Sequence, residues 1–299
     1  MNSVSLCLCG EIFLLMKSAA IISKPSKPEL AGILPELLTW FRQHGYKVYL
    51  DEETAQYITG EEVVTREEMG ARHPDFALVL GGDGTLLSAA RAVGHDGVPI
   101  LAVNLGSLGF LTEVPLSEMY STLEAVETNS CPSEERAVLD CTAYRDQEVL
   151  TRHYALNDVV VNKSAIARLV DFDLLIDGAF VFNYKADGVI VATPTGSTAY
   201  SLAAGGPVLM PSVNSFVVTP VCPHSLTHRP LVVPDKAQIE LRVETSAEEA
   251  YLSIDGQVGV PLQQGDRVIC QRAAHTIKLM RVRKTFFDVL RNKLKWGQR

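Results

Sequence analysis

Gly81-Gly82-Asp83-Gly84-Thr85 combines three glycines, one acid and one hydroxyl in a single short turn. Glycines let the backbone bend sharply and approach a ligand closely. The apolar run Asp75 to Leu80 before the turn has the composition of a buried strand. Leu86 to Arg91 after it is rich in Leu and Ala and predicts a helix. The free N–H groups at the start of such a helix favour anions, phosphates above all. Asp83 runs against that preference. Two unit negative charges 4 Å apart repel by about 4 kcal/mol at an effective dielectric near 20. An acid kept beside a phosphate must therefore hold a divalent cation, take a proton from an attacking hydroxyl, or grip a ribose diol. A ligand-free Gly-Asp-Gly turn is the plain alternative. No lysine of the common phosphate loop is present.

A second group repeats this logic. Asp187-Gly188-Val189-Ile190-Val191-Ala192 is an acid followed by an apolar strand, and it runs into a turn carrying Thr193, Thr195, Ser197 and Thr198. Hydroxyls at a helix start bind polar edges and phosphate, although one would suffice as a helix cap. Asn157-Asp158, just before Val159-Val160-Val161, is a turn on its own and a ribose clamp if a ligand is present. Asp255-Gly256-Gln257 reads as a hairpin turn in which Gln257 is free to touch a ligand. His224 and His228 are four apart but are bracketed by Pro223 and Pro230, with no Glu beside the first. That argues against a helical zinc pair. No Gly-x-Ser-x-Gly elbow supports a hydrolase.

The elements that must carry these groups follow from periodicity. Ala19 to Ser23, Lys47 to Leu50, Phe76 to Leu80 and Val98 to Val103 predict strands, with a helix whose apolar face is Leu30, Ile33, Leu34, Leu37, Leu38 and Phe41. Residues 51–74 carry no clear pattern, and a helix is expected near Leu116 to Val126. Ligands of open α/β sheets sit at the carboxyl ends of strands, so the turns after Leu80 and Val103 should face one crevice. From about residue 135 the texture becomes a series of short strands, with Asp177-Gly178 a strong hairpin signal. The expected division is a non-core extension over 1–15, an α/β part over 16–135, a β-rich part over 136–275, and a C-terminal helix within 276–299 that docks back on the first part.

The chain has 299 residues, 47% hydrophobic and 21% charged, with a formal net charge of −8. This balance argues against a general nucleic-acid binder and against adhesion to an acidic membrane surface. Six cysteines without a CxxC pattern suit a reducing cytoplasm.

Taken together, Gly81 to Thr85, Asn157-Asp158, Asp187 to Tyr200, Pro223 to Pro230 and Asp255 to Gln257 resemble the NAD kinase family. The resemblance extends from Met16 to about Gly297. The first turn alone also resembles diacylglycerol and sphingosine kinases; its combination with Thr193 to Tyr200 is what points to NAD kinases. The resemblance implies an α/β domain, a β-rich domain and a site in the cleft between them. It implies transfer of the γ-phosphoryl of ATP to the 2′-hydroxyl of the adenosine ribose of NAD, with Mg²⁺ or another divalent cation accompanying ATP. By the same resemblance Asp83 accepts the proton, Gly84 lies against the ligand, and Asn157 with Asp158 holds a ribose. Asp187, Thr195, Thr198, Ala199, Tyr200, Ser201, Leu202, Ala203 and Gln257 line the dinucleotide, and Arg168 and Lys185 are the cations for phosphate. The family commonly has Glu where this chain has Asp158, the same charge on a longer arm. It commonly forms homodimers or homotetramers, so a neighbouring subunit is expected to complete the site. A lipid kinase and a non-catalytic dinucleotide-binding regulator are the competing readings. The first wants an apolar or basic membrane-facing surface, which the sequence lacks. The second gains little from Asp83.

Overall fold

The computed structural model describes residues 16–163, 169–225, 227–244, 250–281 and 285–296. The expected extension over 1–15 lies outside the described residues, as does Arg168.

Among the described residues three sheets form. The first is eight-stranded and runs in the order Glu62–Val63, Tyr46–Leu50, Lys17–Ser23, Phe76–Gly81, Ile100–Asn104, Ile277–Met280, Ser133–Arg136, with Val114–Pro115 added beside Ile100–Asn104. Its central strands are parallel and buried on both faces, and so they read as continuous apolar runs rather than alternating ones. Helix Leu30–Gln43 covers one face through Leu30, Leu34, Leu37, Leu38 and Phe41. Helix Asp83–Val93 covers the other through Leu86, Leu87, Ala89, Ala90 and Val93. The second face also takes in Val138, Leu156, Ala273 and Ile277, so its core continues into the β-rich half.

That half is a sandwich of two six-stranded sheets. Alternate residues point inward, as the period of a strand requires. Val159 and Val161, Val189 and Val191, Phe216 and Val218, and Leu252 and Ile254 from one sheet meet Phe172, Leu174, Leu241 and Val268 from the other. The reverse face of the first of these sheets, Val160, Ile190, Ala192 and Val217, is covered by Ala204 and Leu209. Asp177-Gly178 turns a two-residue hairpin with positive φ at both residues, as that loop demands; Asp255-Gly256, also positive in φ, lies in a three-residue connection with Gln257.

The structure adds strands that periodicity does not reveal. Leu231–Pro234 and Val258–Leu262 are sheet edges, the second containing Gly259 and Pro261. Edge strands tolerate Pro, and the Gly and Pro at their outward positions read as turn signals although the alternate residues face the core. Ser133–Arg136 is almost wholly polar and exposed. The patternless stretch 51–74 holds two one-turn helices, Glu52–Ala55 and Arg66–Met69, too short to show a period. Helix Phe286–Leu294 is closed by a Thr285/Asp288 capping box, and its Lys293 ammonium lies 5.9 Å from the Phe110 ring centre.

Candidate active site

Strands Phe76–Gly81 and Ile100–Asn104 are adjacent and parallel, so the turns at their carboxyl ends meet. Gly82 caps helix Asp83–Val93, which places Asp83 in the first turn, where the helix dipole favours a carboxylate. Asp83 Oδ1 accepts from Leu111 N at 3.1 Å, Thr112 N at 3.0 Å and Thr112 Oγ1 at 2.9 Å. Oδ2 accepts only from Phe110 N, at 2.8 Å. One oxygen is therefore saturated, while the other keeps a lone pair for a further partner. The loop that supplies these donors is braced by Asn104. Its amide nitrogen donates to Ser107 O and Thr112 Oγ1, both at 2.8 Å, and its amide oxygen accepts from Gly106 N at 2.6 Å. A Cβ on Gly109 would overlap Asp83 Oδ1 and Thr112 Oγ1, so only glycine permits this closeness. Gly82 is different. Its φ of −110° is open to any residue and a Cβ there would meet nothing. Neither backbone nor packing demands a glycine at that position, which leaves room for a ligand to lie against it.

Across the cleft the β-rich half presents Asn157 and Asp158. Asp255 organises them: its buried carboxylate accepts from Leu156 N at 3.0 Å, Asn157 N at 2.8 Å and Asp158 N at 3.1 Å. Burial pushes the Asp255 carboxyl above its ordinary range, against the pull of those three amides. Burial, with the Asp255 charge alongside, pushes Asp158 up to about 7. The Asn157 amide oxygen is buried and has no hydrogen-bond partner. Gln257 ties the halves together. Its amide nitrogen donates to Gly84 O at 2.7 Å, and its amide oxygen accepts from Arg91. The amide expected to meet a ligand is thus engaged at both ends by the chain itself.

The hydroxyl-rich turn packs against Asn157, whose carbonyl accepts from Thr193 N at 2.9 Å and leaves no room for a side chain on Gly196. Most of its hydroxyls are spent locally. Thr193 Oγ1 donates to Leu156 O at 2.6 Å, Ser197 Oγ to Pro194 O at 2.7 Å, and Thr198 Oγ1 to Thr195 O at 3.1 Å. The density of hydroxyls is thus largely explained by the turn's own bonding. Ala199, Leu202 and Ala203 follow in the helix Tyr200–Ala203 and its cap; Tyr200 is 42% exposed, and Ser201 is buried against Thr219 Oγ1 at 2.9 Å. Lys185 and Asp187 stand apart. Asp187 precedes strand Gly188–Ala192, whose other end, Ala192, is the register partner of Asp158. At about 3.3 Å per residue this puts Asp187 roughly 15–20 Å from the Asn157 end. There Asp187 pairs with Lys163 at 2.8 Å, while Lys185 lies 4.0 Å from Asp171.

Family models match both halves, an ATP-NAD kinase N-terminal domain over residues 19–130 and an ATP-NAD kinase C-terminal domain over 156–282. The chain belongs to the NAD kinase family. An NAD kinase of Koribacter versatilis is 65% identical over 284 residues, spanning 95% of this chain and 100% of the relative. An NAD kinase of Geobacter metallireducens is 46% identical over the same shares. The crystal structure of yeast NADH kinase complexed with NADH superposes with a TM-score of 0.85 at 28% identity, covering 95% of this chain and 89% of that one. An Archaeoglobus fulgidus NAD kinase solved with ATP shares the fold, with a TM-score of 0.71 at 24% identity over 93% of this chain and 97% of that one.

Within this NAD kinase fold, several residues at the cleft escape a reading of the sequence. Phe110 and Leu111 act through backbone amides alone, and Thr112 through its amide and its hydroxyl; the hint is that their loop leaves a strand neighbouring Asp83. Asp255 looks like a turn former and is one, but its carboxylate also builds the Asn157–Asp158 corner. Arg91 is one cation within a helical apolar pattern, with no signal of its own.

Proposed function

We propose that this NAD kinase transfers the γ-phosphoryl of ATP to the 2′-hydroxyl of the adenosine ribose of NAD, giving NADP, with Asp83 as proton acceptor. The observation that carries the reading is the asymmetry of the Asp83 carboxylate. Three donors hold Oδ1 and one holds Oδ2, so the group is fixed in place with one lone pair open to an attacking hydroxyl. A carboxylate is a weak base for an alcohol, which suits a loose transition state in which the proton leaves late. Fixed geometry then supplies most of the rate.

The acceptor ribose is assigned to Asn157 and Asp158. The unpartnered, buried Asn157 oxygen supports this, because such an atom costs about 1–3 kcal/mol until a hydroxyl donates to it. Gly82 and Gly84 provide the close approach for phosphate, and Thr195, Thr198, Ala199, Tyr200, Ser201, Leu202 and Ala203 form the wall for the dinucleotide. Among the described residues no group of three or more His, Cys, Asp or Glu side chains could hold a metal. Mg²⁺ accompanying ATP would neutralise charge on the transferred group. The separation of Lys185 and Asp187 from the Asn157 end supports a homodimer or homotetramer, in which a second copy brings this group to the cleft. The proposed division falls near residues 135 and 275, and the unpaired Cys131, Cys141, Cys222 and Cys270 suit a reducing cytoplasm.

The test is an end-point assay with purified protein, Mg–ATP and NAD, reading NADP with an NADP-specific dehydrogenase. Product requiring both substrates is expected from the native chain. Asp83→Ala should lose nearly all turnover while NAD still binds by calorimetry. Undiminished turnover in a folded Asp83→Ala variant would refute the role given to that residue.

A further inference from the structure

A cavity of about 210 Å³ lies where helix Asp83–Val93 meets the β-rich half. Its floor is apolar, and its polar walls come from Arg91, His95, Arg152, His153, Tyr154 and His275. We propose that it binds a small phosphate-type anion, at a site that adjoins the Asp83 turn through Gln257 but is distinct from it.

Arg91 carries the inference. It is half-buried, makes no ion pair among the described residues, and hydrogen-bonds only to the neutral amide of Gln257. Its other terminal nitrogen is buried without a partner. A guanidinium withdrawn from water normally keeps a carboxylate beside it. Asp255 also lines the cavity and attracts the Arg91 charge, but among the described residues no direct ion pair joins them, and its oxygens accept from three backbone amides. Arg152 is satisfied by Asp140, with Nε at 2.9 Å from Oδ1, and it covers the Tyr154 ring. The histidines crowd the remaining wall, His275 standing 5.1 Å from His95 and 4.7 Å from Tyr154 between ring centres. Burial and the Arg91 charge hold His153 below its ordinary range, and burial and His95 do the same to His275. A neutral imidazole offers one N–H; at His153, Nε2 meets Thr151 Oγ1 at 2.7 Å, and the ring has an N–H to spare when the threonine hydroxyl is the donor. One unpaired guanidinium ringed by imidazole donors matches an anion with several acceptor oxygens. The volume admits phosphate or pyrophosphate and excludes a dinucleotide.

Such an anion can come from the terminal phosphates of a nucleotide or from free inorganic phosphate, and the test separates the two. Histidine-ring NMR of the full chain is followed during titration with pyrophosphate. The His95, His153 and His275 resonances are expected to move together and saturate, and Arg91→Gln should weaken this binding at least tenfold. His153→Gln, which leaves the Gln257 link untouched, should weaken it severalfold and guards against a folding defect in the first variant. Displacement of pyrophosphate from these rings by ADP assigns the site to a nucleotide tail; failure of ADP to displace it assigns the site to the free anion. Rings that stay unmoved at millimolar pyrophosphate, or wild-type affinity in both variants, would overturn the proposal.

Discussion

Asp158 should make stability depend on pH in a way one substitution can isolate. Its carboxyl is pushed from an ordinary 3.8 up to about 7, by burial first and by the Asp255 charge second. The folded chain therefore holds a proton on this group that the unfolded chain releases. The group's contribution is fully present below about pH 4 and is lost as pH rises through about 7. A shift of about three pKa units at about 1.4 kcal/mol each gives roughly 4 kcal/mol. Asp158→Asn keeps the shape and removes the titration. In urea denaturation of ligand-free protein at pH 4, 5.5, 7 and 8, the variant should match the native chain at pH 4 within about 1 kcal/mol. It should then gain on it steadily, by up to about 4 kcal/mol at pH 8. Other buried acids, such as Asp255 and Glu113, are raised in both proteins, so the difference between the two curves is the quantity to read. A difference that stays flat from pH 4 to pH 8 would refute the reasoning, because a buried carboxylate would then carry no penalty.

Gly109→Ala should displace the Asp83 carboxylate, which the new methyl would overlap. A shift of about 1 Å in a reacting group costs on the order of a hundredfold in kcat, and steady-state kinetics showing kcat within twofold of native would exclude that close packing. Asp83→Ala and Asp187→Ala chains should each be impaired alone. Mixed and re-associated, they should recover a substantial fraction of native activity if the distal group acts across a subunit boundary. A mixture that gives only the sum of the two separate activities would place Asp187 outside the neighbour's site.

The parallel core and the β-rich texture of the second half were legible because buried strands read as apolar runs, Phe76 to Leu80 in the first and Val159 to Val161 in the second; the folding of the latter into two facing sheets was not, since Val160 is buried on the reverse face and masks the alternation. Asp83, Asn157 and Asp158 stood out because an acid or amide beside glycines and strand ends is chemically conspicuous. What escaped did so for physical reasons. Three of the four donors to Asp83 are backbone amides, and side-chain identity does not record where an amide points. Gln257 was visible, but its bonds to Gly84 and Arg91 join residues far apart in sequence. The hydroxyls at 193–198 suggested ligand contacts, whereas their local bonds follow from the tightness of the turn itself. Edge strand Val258–Leu262 turns Val258, Val260 and Leu262 to the core, but Gly259 and Pro261 between them read as turn formers.

The way the sandwich is threaded into the first sheet bears on how the chain is made. Ser133–Arg136 and Ile277–Met280 are antiparallel neighbours, with Arg136 opposite Ile277. All the chain between them emerges from the ribosome before the second strand exists. Ile100–Asn104, which takes Ile277–Met280 as its neighbour, must therefore wait for about 175 further residues, roughly 9–35 s at ~5–20 residues per second. During that interval the Ile100 end of that strand edge lacks its permanent partner, while Val103 and Asn104 take Val114–Pro115 as soon as it is made. The β-rich half, whose two sheets are complete within their own stretch of chain, can fold first. The nascent protein would then finish its earliest-made domain last, when the closing strand slides into a slot kept open since the first hundred residues.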